Sequence, residues 1–183
     1  MKNNIIPAIR LTLVSLVFFC VIYTLAVYGV SRLVPESMSF TKTEQGYYVN
    51  VGQPFTGDQY FNSRPSAVNY NAAGSGGSNK GPSNPDYLKE VQARIDTFLV
   101  HNPDMRKEDI PSDLVTASGS GLDPNISVEG AFVQVKRISQ MRDINERTIY
   151  QLIEKQIEKP LLGLVGTQKI NVLKLNLELD KIK

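Results

Sequence analysis

Residues 11–30 read LTLVSLVFFCVIYTLAVYGV, an apolar stretch without a charged side chain. As a helix, about 20 residues rising roughly 1.5 Å each span about 30 Å, the thickness of the hydrocarbon core of a bilayer. Thr12 and Thr24 are tolerable there because their hydroxyls can return to the helix backbone. Arg10 and Arg32 bracket the stretch, where long side chains can reach the headgroups. The stretch therefore predicts one membrane-spanning helix.

The alternative is a cleaved signal peptide whose basic leader is MKNNIIPAIR. The apolar run is longer than the usual apolar region of a signal peptide, and no A-x-A cleavage site follows it, so we favour an uncleaved anchor. Lys2 and Arg10 precede the helix, whereas Arg32 and Lys42 follow it, so the count of basic residues does not decide the orientation. Short leaders usually stay inside, which predicts a cytoplasmic N-terminus and an extracytoplasmic C-terminal part.

The rest of the chain has the length of one ordinary domain. We predict a leader over residues 1–10, a membrane helix over 11–30 and one soluble mixed α/β domain over 31–183, which is an α+β fold class. The formal net charge is +2 and the basic residues are interleaved with acids, which argues against a nucleic-acid partner. The single Cys20 lies in the apolar stretch, so the domain has no disulfide, thiolate metal site or cysteine nucleophile.

Apolar residues at helical spacing predict three helices in the soluble domain. The first begins after Asn84 as its N-cap and ends before Pro103. A second is capped by Ser127, and a third opens with a capping box formed by Asp143 and Glu146. The expected buried residues of the three helices are Leu88, Val91, Ile95, Phe98 and Leu99, then Ala131, Val135, Ile138 and Met141, then Ile149, Leu152, Ile153 and Ile157.

Alternation of apolar and polar residues predicts the strands. Residues 47–51 alternate and are rich in β-formers, and residues 114–116 are consistent with a short buried strand. The clearest alternation lies in residues 170–179, where four leucines occupy every second position from Leu173 to Leu179. This pattern predicts a strand with one buried face.

Two loops are rich in small residues. Residues 63–84 read as either a flexible linker or an ordered surface loop with a binding role, and we favour the ordered loop. Residues 117–124, ASGSGLDP, form the second loop. The run GSGGSNKG over residues 74–81 fails the phosphate-loop template, because Asn79 and Gly81 replace the required glycine and hydroxyl residue. Its backbone amides could still cradle an anion or a carbonyl.

The sequence contains few candidate catalytic or metal-binding residues. The single histidine, His101, lies at the end of a helix, where a capping or dipole role is commoner than catalysis. Without cysteine or a histidine cluster, a zinc site lacks suitable ligands. The pair Glu108 and Asp109 lies in a polar connector and is explained by a hydrated surface.

Read together, the two loops resemble those of the C subunit of the Kdp-type potassium-transporting ATPase. The matching blocks are FNSRPS (61–66), YN (70–71), GSGGSN (74–79), GPSN (81–84) and DLVTASGSGLDP (113–124), followed by Gln134, Arg137 and the end of the chain from Asn171 to Asp180. The resemblance covers nearly the whole chain, including the leading apolar helix. Lys80 departs from it, where the family more often has an apolar residue.

The resemblance implies an accessory, non-enzymatic subunit in the inner membrane of a bacterium or archaeon. Its implied partners are a channel-like A subunit that binds potassium, a P-type B subunit that hydrolyses ATP, a small F peptide, and membrane lipid. It also implies a catalytic chaperone that promotes ATP binding by the B subunit; this chain itself lacks the DKTGT motif. The implied residues linked to a partner or to nucleotide are Arg64, Ser66, Asn69, Tyr70, Ser75, Gly76, Gly77, Ser78, Asn79, Ser118, Gly119, Ser120, Gly121, Asp123, Gln134 and Arg137.

The predicted orientation limits what these loops can contact. An extracytoplasmic domain cannot contact cytoplasmic ATP, so we expect this chain to bind no cofactor directly. Any effect on the affinity for ATP would pass through the complex, as a coupling free energy of about 1–3 kcal/mol. We expect the loops to dock on the channel-like subunit near its potassium entrance, with Arg64 and Asp123 paired to each other or to groups on that subunit. The rival functions are a stand-alone anchored enzyme and an extracytoplasmic scaffold or binding module unrelated to potassium transport.

Overall fold

The computed structural model describes residues 4–33, 42–43, 46–160, 163 and 166–182 of the chain. It divides into two compact units, Met1–Thr41 and Lys42–Lys183. The first unit contains one long apolar helix, and the second contains helices with a small two-stranded sheet. This composition confirms the predicted α+β class.

The long helix, α1, runs over Ile5–Ser31, so it begins before the predicted start at Leu11. None of its residues is buried, and it is the one helix among the described residues that is long and apolar enough to cross a membrane. Its middle part, Val17–Tyr23, has the wider turns of a π-helix. The Thr24 hydroxyl donates to the carbonyl of Phe19, five residues back, at 3.3 Å, which satisfies the hydroxyl within the helix as predicted.

The second unit contains helices α2 to α6 and strands β1 and β2. The helices are α2 (Pro85–His101), α3 (Val128–Phe132), α4 (Val135–Arg142), α5 (Glu146–Gln156) and α6 (Val172–Leu179). Strand β1 (Asn125–Ile126) pairs antiparallel with β2 (Ile170–Asn171), so that Asn125 lies opposite Asn171. Two 3₁₀ turns, Lys107–Asp109 and Ser112–Leu114, connect α2 to the second loop.

The predicted strand over residues 170–179 is wrong for all but its first two residues. Asn171 accepts a hydrogen bond from the Lys174 N–H at 3.1 Å and caps α6. The same residues carry a second pattern, because Val172, Leu175, Asn176 and Leu179 are spaced as one helix face, and all four are buried. Burial of that face against the core selects the helix over the strand.

The other two predicted strands are also wrong. In residues 47–51 the ladder is limited to a single bridge between Lys42 and Tyr48. Residues 112–114 form a 3₁₀ turn, which still buries Leu114 and Val115. Both stretches have residues that favour strands, but neither pairs with a strand among the residues that the structure describes. Strand propensity depends on such packing.

The helices follow the predictions more closely. The Asn84 side chain accepts hydrogen bonds from the N–H groups of Asp86 and Tyr87 at 3.0 and 3.1 Å, which confirms the N-cap of α2. Ser127 caps α3 by accepting from the Gly130 N–H, but a break before Val135 divides the predicted second helix into α3 and α4.

Asp143 does not open the third predicted helix. It ends α4 in the left-handed conformation, with φ of 55°, and Asn145 caps α5 instead by accepting from the Arg147 N–H. Both residues are good caps, so spacing alone misassigned the boundary. Two residues expected to be buried, Leu88 and Met141, are exposed.

The core lies where α3 to α6 and the two strands meet. Its fully buried apolar members include Phe61, Ile126, Val135, Ile138, Ile149, Ile153, Ile170, Leu175 and Leu179. Phe61 lies in the extended segment, our name for residues 51–66, which contain no helix or strand and turn once at residues 58–60. Helix α6 satisfies the backbone of Phe61 through one side chain: the Phe61 N–H donates to Asn176 Oδ1 at 2.9 Å, and Asn176 Nδ2 donates to the Phe61 carbonyl at 3.0 Å.

We expect Asn176→Leu to destabilise the fold although it adds apolar volume. The change leaves a buried N–H and a buried carbonyl of Phe61 without partners, at about 1–3 kcal/mol each. Unfolding of the full-length chain in detergent by denaturant, followed by near-ultraviolet circular dichroism, measures the loss. Gln151→Leu, the same type of change on the exposed side of α5, is the control and should shift stability by under about 0.5 kcal/mol. Equal stability of both variants would contradict this role for Asn176.

We expect Phe19→Arg to impair membrane insertion of α1. An arginine near the bilayer centre costs on the order of 3 kcal/mol on translocon scales, so the variant should move from the membrane fraction to the soluble or degraded fraction. Phe19→Leu keeps the position apolar and should stay in the membrane. Carbonate extraction of membranes from cells that express each variant distinguishes the two results, and equal retention would mean that α1 does not span a bilayer.

Candidate functional site

The two small-residue loops lie directly against each other. The Gly76 N–H and the Ser75 hydroxyl both donate to the Ser120 carbonyl, at 2.8 and 3.0 Å. The Ser118 N–H donates to the Pro65 carbonyl at 3.1 Å. Residues 64–79 and 118–123 therefore form one continuous surface, here called the loop surface.

Glycine is required where the two backbones approach most closely. A Cβ on Gly77 would lie 3.0 Å from the Gly119 carbonyl oxygen. Gly121 has φ of 68°, and its Cβ would lie 2.6 Å from a methyl group of Val68 and 2.8 Å from the Gly76 carbonyl oxygen. The glycines thus allow backbone contact that any side chain would prevent.

Ser66 and Tyr70 hold the first loop in shape. The Ser66 hydroxyl donates to the Gly121 carbonyl at 2.6 Å and accepts from the Tyr70 N–H at 2.9 Å. The Tyr70 hydroxyl donates to the Arg64 carbonyl, and burial raises the pKa of Tyr70. Asn69 and Tyr70 both have positive φ, an uncommon conformation that these contacts support. The first loop is therefore ordered, as we favoured, and is not a flexible linker.

Arg64 and Asp123 join the loops by an ion pair. Arg64 Nη1 lies 3.0 Å from Asp123 Oδ2, and about a quarter of each side chain is exposed. Asp123 also accepts from the Asn125 N–H at 3.0 Å through its other oxygen. Of the two expected arrangements for these charges, the structure has the one in which they pair with each other. A partly exposed pair contributes under about 1 kcal/mol, so its main effect is to align the loops.

The outer side of the loop surface is polar and small. Its exposed members are Asn69, Ser75, Asn79, Gly119 and Ser120, with Gly76, Gly77 and Ser78 half-buried behind them. Nothing lies within 4 Å of the position that a Cβ on Gly119 would occupy. Amides, hydroxyls and accessible backbone of this kind suit close contact with another protein surface.

Gln134 and Arg137 lie elsewhere, inside the domain. Both are buried. Gln134 Oε1 accepts from the Asn62 N–H at 2.8 Å, and Arg137 Nη2 donates to the Tyr60 carbonyl at 3.1 Å. Burial lowers the pKa of the Arg137 guanidinium, and the carboxylate of Asp58 at 3.7 Å opposes that shift. These two side chains hold the extended segment in place and do not reach the loop surface.

Two groups of residues 74–81 that could bind a phosphate are engaged within the domain. The Gly76 N–H is engaged by Ser120, and Lys80 forms an ion pair with Glu90. The nearest helix N-terminus, that of α2, is already capped by Asn84 and carries the negative charge of Asp86. A phosphate at this N-terminus would be repelled by the negative charge of Asp86.

Sequence reasoning did not predict the partners of three polar residues. His101 lies at the end of α2 with Nδ1 2.8 Å from Asp58 Oδ1, and the neighbouring Asn102 accepts from Arg137 Nε at 3.2 Å. Asn176 is the third. A polar residue inside an otherwise apolar helix face was the one available signal for Asn176, and no local signal linked Asp58 to His101.

Comparisons with known proteins identify the family of the chain. The family described as "K+-transporting ATPase, c chain" (KdpC) matches residues 5–181. Curated relatives named "Potassium-transporting ATPase KdpC subunit" include those of Flavobacterium psychrophilum, 52% identical over 99% of this chain and 100% of that protein, and Bacteroides fragilis, 47% identical over 99% and 98%. The relative of Caldanaerobacter subterraneus is 39% identical over 100% of this chain and 98% of that protein. The chain therefore belongs to the KdpC family, the c chain of the K+-transporting ATPase.

Proposed function

We propose that the chain is a non-catalytic accessory subunit of an ATP-driven potassium import complex in a bacterial or archaeal inner membrane. Family membership over residues 5–181 and the names of the relatives support this assignment. Helix α1 anchors the subunit, and the second unit, Lys42–Lys183, lies outside the cytoplasm. The partners are the channel-like A subunit, the P-type B subunit and the small F subunit.

The loop surface is the docking site for the A subunit near its potassium entrance. The observation that carries this proposal is that the loops are already closed on each other, through Gly76, Ser118 and the Arg64–Asp123 pair, while their outer side stays exposed. A surface ordered before binding loses little conformational entropy when a partner binds, so small polar contacts suffice for specific association.

The effect on ATP is indirect. The Gly76 amide is engaged by Ser120 and Lys80 by Glu90, which supports a role for the loops in protein contact and not in nucleotide binding. Docking favours the state of the complex in which the B subunit binds ATP more tightly, with a coupling of about 1–3 kcal/mol. The chain acts as a catalytic chaperone in this sense and holds no cofactor itself.

The alternative is an anchored extracytoplasmic scaffold unrelated to potassium transport. The shared name of the relatives favours the first function. Deletion of the chain distinguishes the two, because only the transport subunit is required for high-affinity potassium uptake.

We expect the second unit to be accessible from outside the cell. Protease added to intact spheroplasts should digest the chain beyond α1, and the same treatment of inverted vesicles should leave it protected. A reporter fused after Lys183 provides an independent measurement. Protection in spheroplasts would reverse the orientation and place the loops on the side that holds ATP.

We expect Gly119→Gln to weaken docking without unfolding the domain. Gly119 is exposed, and the new Cβ meets open space, so the free energy of unfolding should change by under about 0.5 kcal/mol. A long side chain on the loop surface should lower recovery of the partner subunits and potassium-stimulated ATP hydrolysis about tenfold, which corresponds to roughly 1.4 kcal/mol.

Ala93→Gln adds the same side chain on the exposed side of α2 and serves as the matched control. Thermal unfolding, pull-down of the complex and coupled ATP hydrolysis are measured for both variants. Unchanged assembly and hydrolysis in Gly119→Gln, at normal expression, would show that the loop surface is not the docking site.

A further inference from the structure

Helix α2 follows the first loop directly and has little apolar attachment to the core of the domain. Phe98 is the only buried residue of this helix, which the structure describes over its whole length. Phe98 lies near the C-terminal end, so residues 85–97 contain no buried side chain. Two charged side chains of this part of α2, Glu90 and Arg94, instead bond to the ends of the two small-residue loops.

Glu90 attaches the end of the first loop to α2. Its Oε1 accepts a hydrogen bond from the ammonium group of Lys80, the residue that follows Asn79 at the end of the loop surface. The hydrogen bond from Lys80 lowers the pKa of Glu90, because it favours the charged form of the carboxylate. The end of the first loop is therefore held against the helix by a charged contact.

Arg94 attaches the start of the second loop to the same helix. Its Nη1 donates to the carbonyl of Val115 at 3.2 Å, two residues before Ala117. Its Nη2 lies 3.7 Å from the Oε2 of Glu90, which is one helical turn earlier. Val115 is buried, so this contact ties Arg94 to a part of the backbone that the domain already holds in place.

These contacts form one chain of charged side chains, Lys80, Glu90 and Arg94, which we call the ionic bridge. Glu90 is its centre, because each of its two oxygens faces one of the basic groups. The Arg64–Asp123 pair joins the same two loops at their other ends, since Arg64 lies at the start of the first loop and Asp123 near the end of the second. Charged contacts therefore hold both ends of the loop surface.

We propose that Glu90 is a positioning residue for docking of the A subunit, and that the ionic bridge makes this docking sensitive to salt. The inference rests on the proposed docking at the loop surface. Loss of the Glu90 charge releases Lys80 from Arg94, so the end of the first loop and the start of the second no longer keep one spacing. Docking then weakens, because a surface that must become ordered on binding loses more conformational entropy.

The exposure of the ionic bridge explains its sensitivity to salt. Its three side chains are between 28% and 43% exposed, so ions in the solvent can screen their attraction. The range of that attraction falls from about 10 Å at 0.1 M salt to about 3 Å at 1 M salt. The hydrogen bonds between the loop backbones carry no net charge and depend on salt much less.

Amide hydrogen exchange tests the position of the loops. The Gly76 and Ser118 N–H groups each donate to a carbonyl of the facing segment, so separation of the loops exposes both to solvent. Exchange is measured by mass spectrometry on the full-length chain in detergent. We expect Glu90→Gln to raise exchange in the peptides that contain these two amides about fivefold, with the core helices unchanged. Glu154→Gln makes the same change on the exposed side of α5 and should leave exchange at both amides unchanged.

Docking is measured by pull-down of the complex with each full-length variant, at about 0.1 M and about 1 M salt. We expect Glu90→Gln to recover about fivefold less A subunit than the wild type at the lower salt concentration. The difference should shrink at the higher concentration, where the bridge of the wild type is screened. Lys80→Arg keeps the charge and should dock as the wild type does, whereas Lys80→Met should behave as Glu90→Gln does.

Gly119→Gln separates failure of this inference from failure of the docking site. Weak docking of Gly119→Gln with normal docking of Glu90→Gln and Lys80→Met would overturn the positioning role and leave the docking site in place. Normal docking of all three variants would reject the docking site and the inference with it.

Two further results bear on the ionic bridge itself. Unchanged exchange at Gly76 and Ser118 in both Glu90→Gln and Lys80→Met would overturn the inference. If Glu90→Gln raises exchange throughout the domain, the variant has lost its fold, and the comparison of Lys80→Met with Lys80→Arg decides. Equal docking of those two variants at the lower salt concentration would overturn the inference, and about fivefold weaker docking of Lys80→Met would support it.

Discussion

The segment over residues 51–66 enters the core at Phe61, where the described structure has no strand beside it. The backbone there is hydrogen-bonded by side chains. The Asn176 side chain makes hydrogen bonds with both the N–H and the carbonyl of Phe61. Gln134 accepts a hydrogen bond from the Asn62 N–H, and Arg137 donates one to the Tyr60 carbonyl. Leaving these groups unpaired inside the domain would cost more than the net stability of an ordinary hydrogen bond. The three buried side chains therefore supply the backbone hydrogen bonds that a neighbouring strand supplies in a sheet protein.

This arrangement connects the core to the site. The segment that Asn176 and Gln134 hold at Phe61 and Asn62 continues directly into Arg64 and Ser66, where the first loop begins. From there the Arg64–Asp123 pair and the bond from Ser118 to Pro65 fix the second loop against the first. The loop surface is therefore ordered by two kinds of contact. One is the set of buried hydrogen bonds at Phe61 and Asn62, and the other is the close backbone contact between the loops that glycine allows.

The preformed loop surface fits the accessory role that we propose for this chain. Under that proposal the chain performs no chemistry, and it favours one state of its partners through differential contact. That requires a surface whose shape does not change on binding and a fixed position on the membrane. The loop surface provides the first, and we propose that α1 provides the second.

Several features could be predicted from local sequence signals. The long apolar helix α1 follows from 20 uncharged residues, the start of α2 from Asn84 and Pro85, and the family from two ordered loop motifs, because each of these signals is local or contiguous. The strand predicted at the end of the chain, over residues 170–179, was wrong. Leu173 to Leu179 alternate as in a strand, yet Val172, Leu175, Asn176 and Leu179 lie on one helix face, and both patterns are present in the same residues. Packing selects the helix, because the partner of Asn176 is Phe61, 115 residues away, and local periodicity carries no information about so distant a contact. The buried position of Arg137 and the pairing of Arg64 with Asp123 were decided in the same way, by packing between segments that are far apart in the chain.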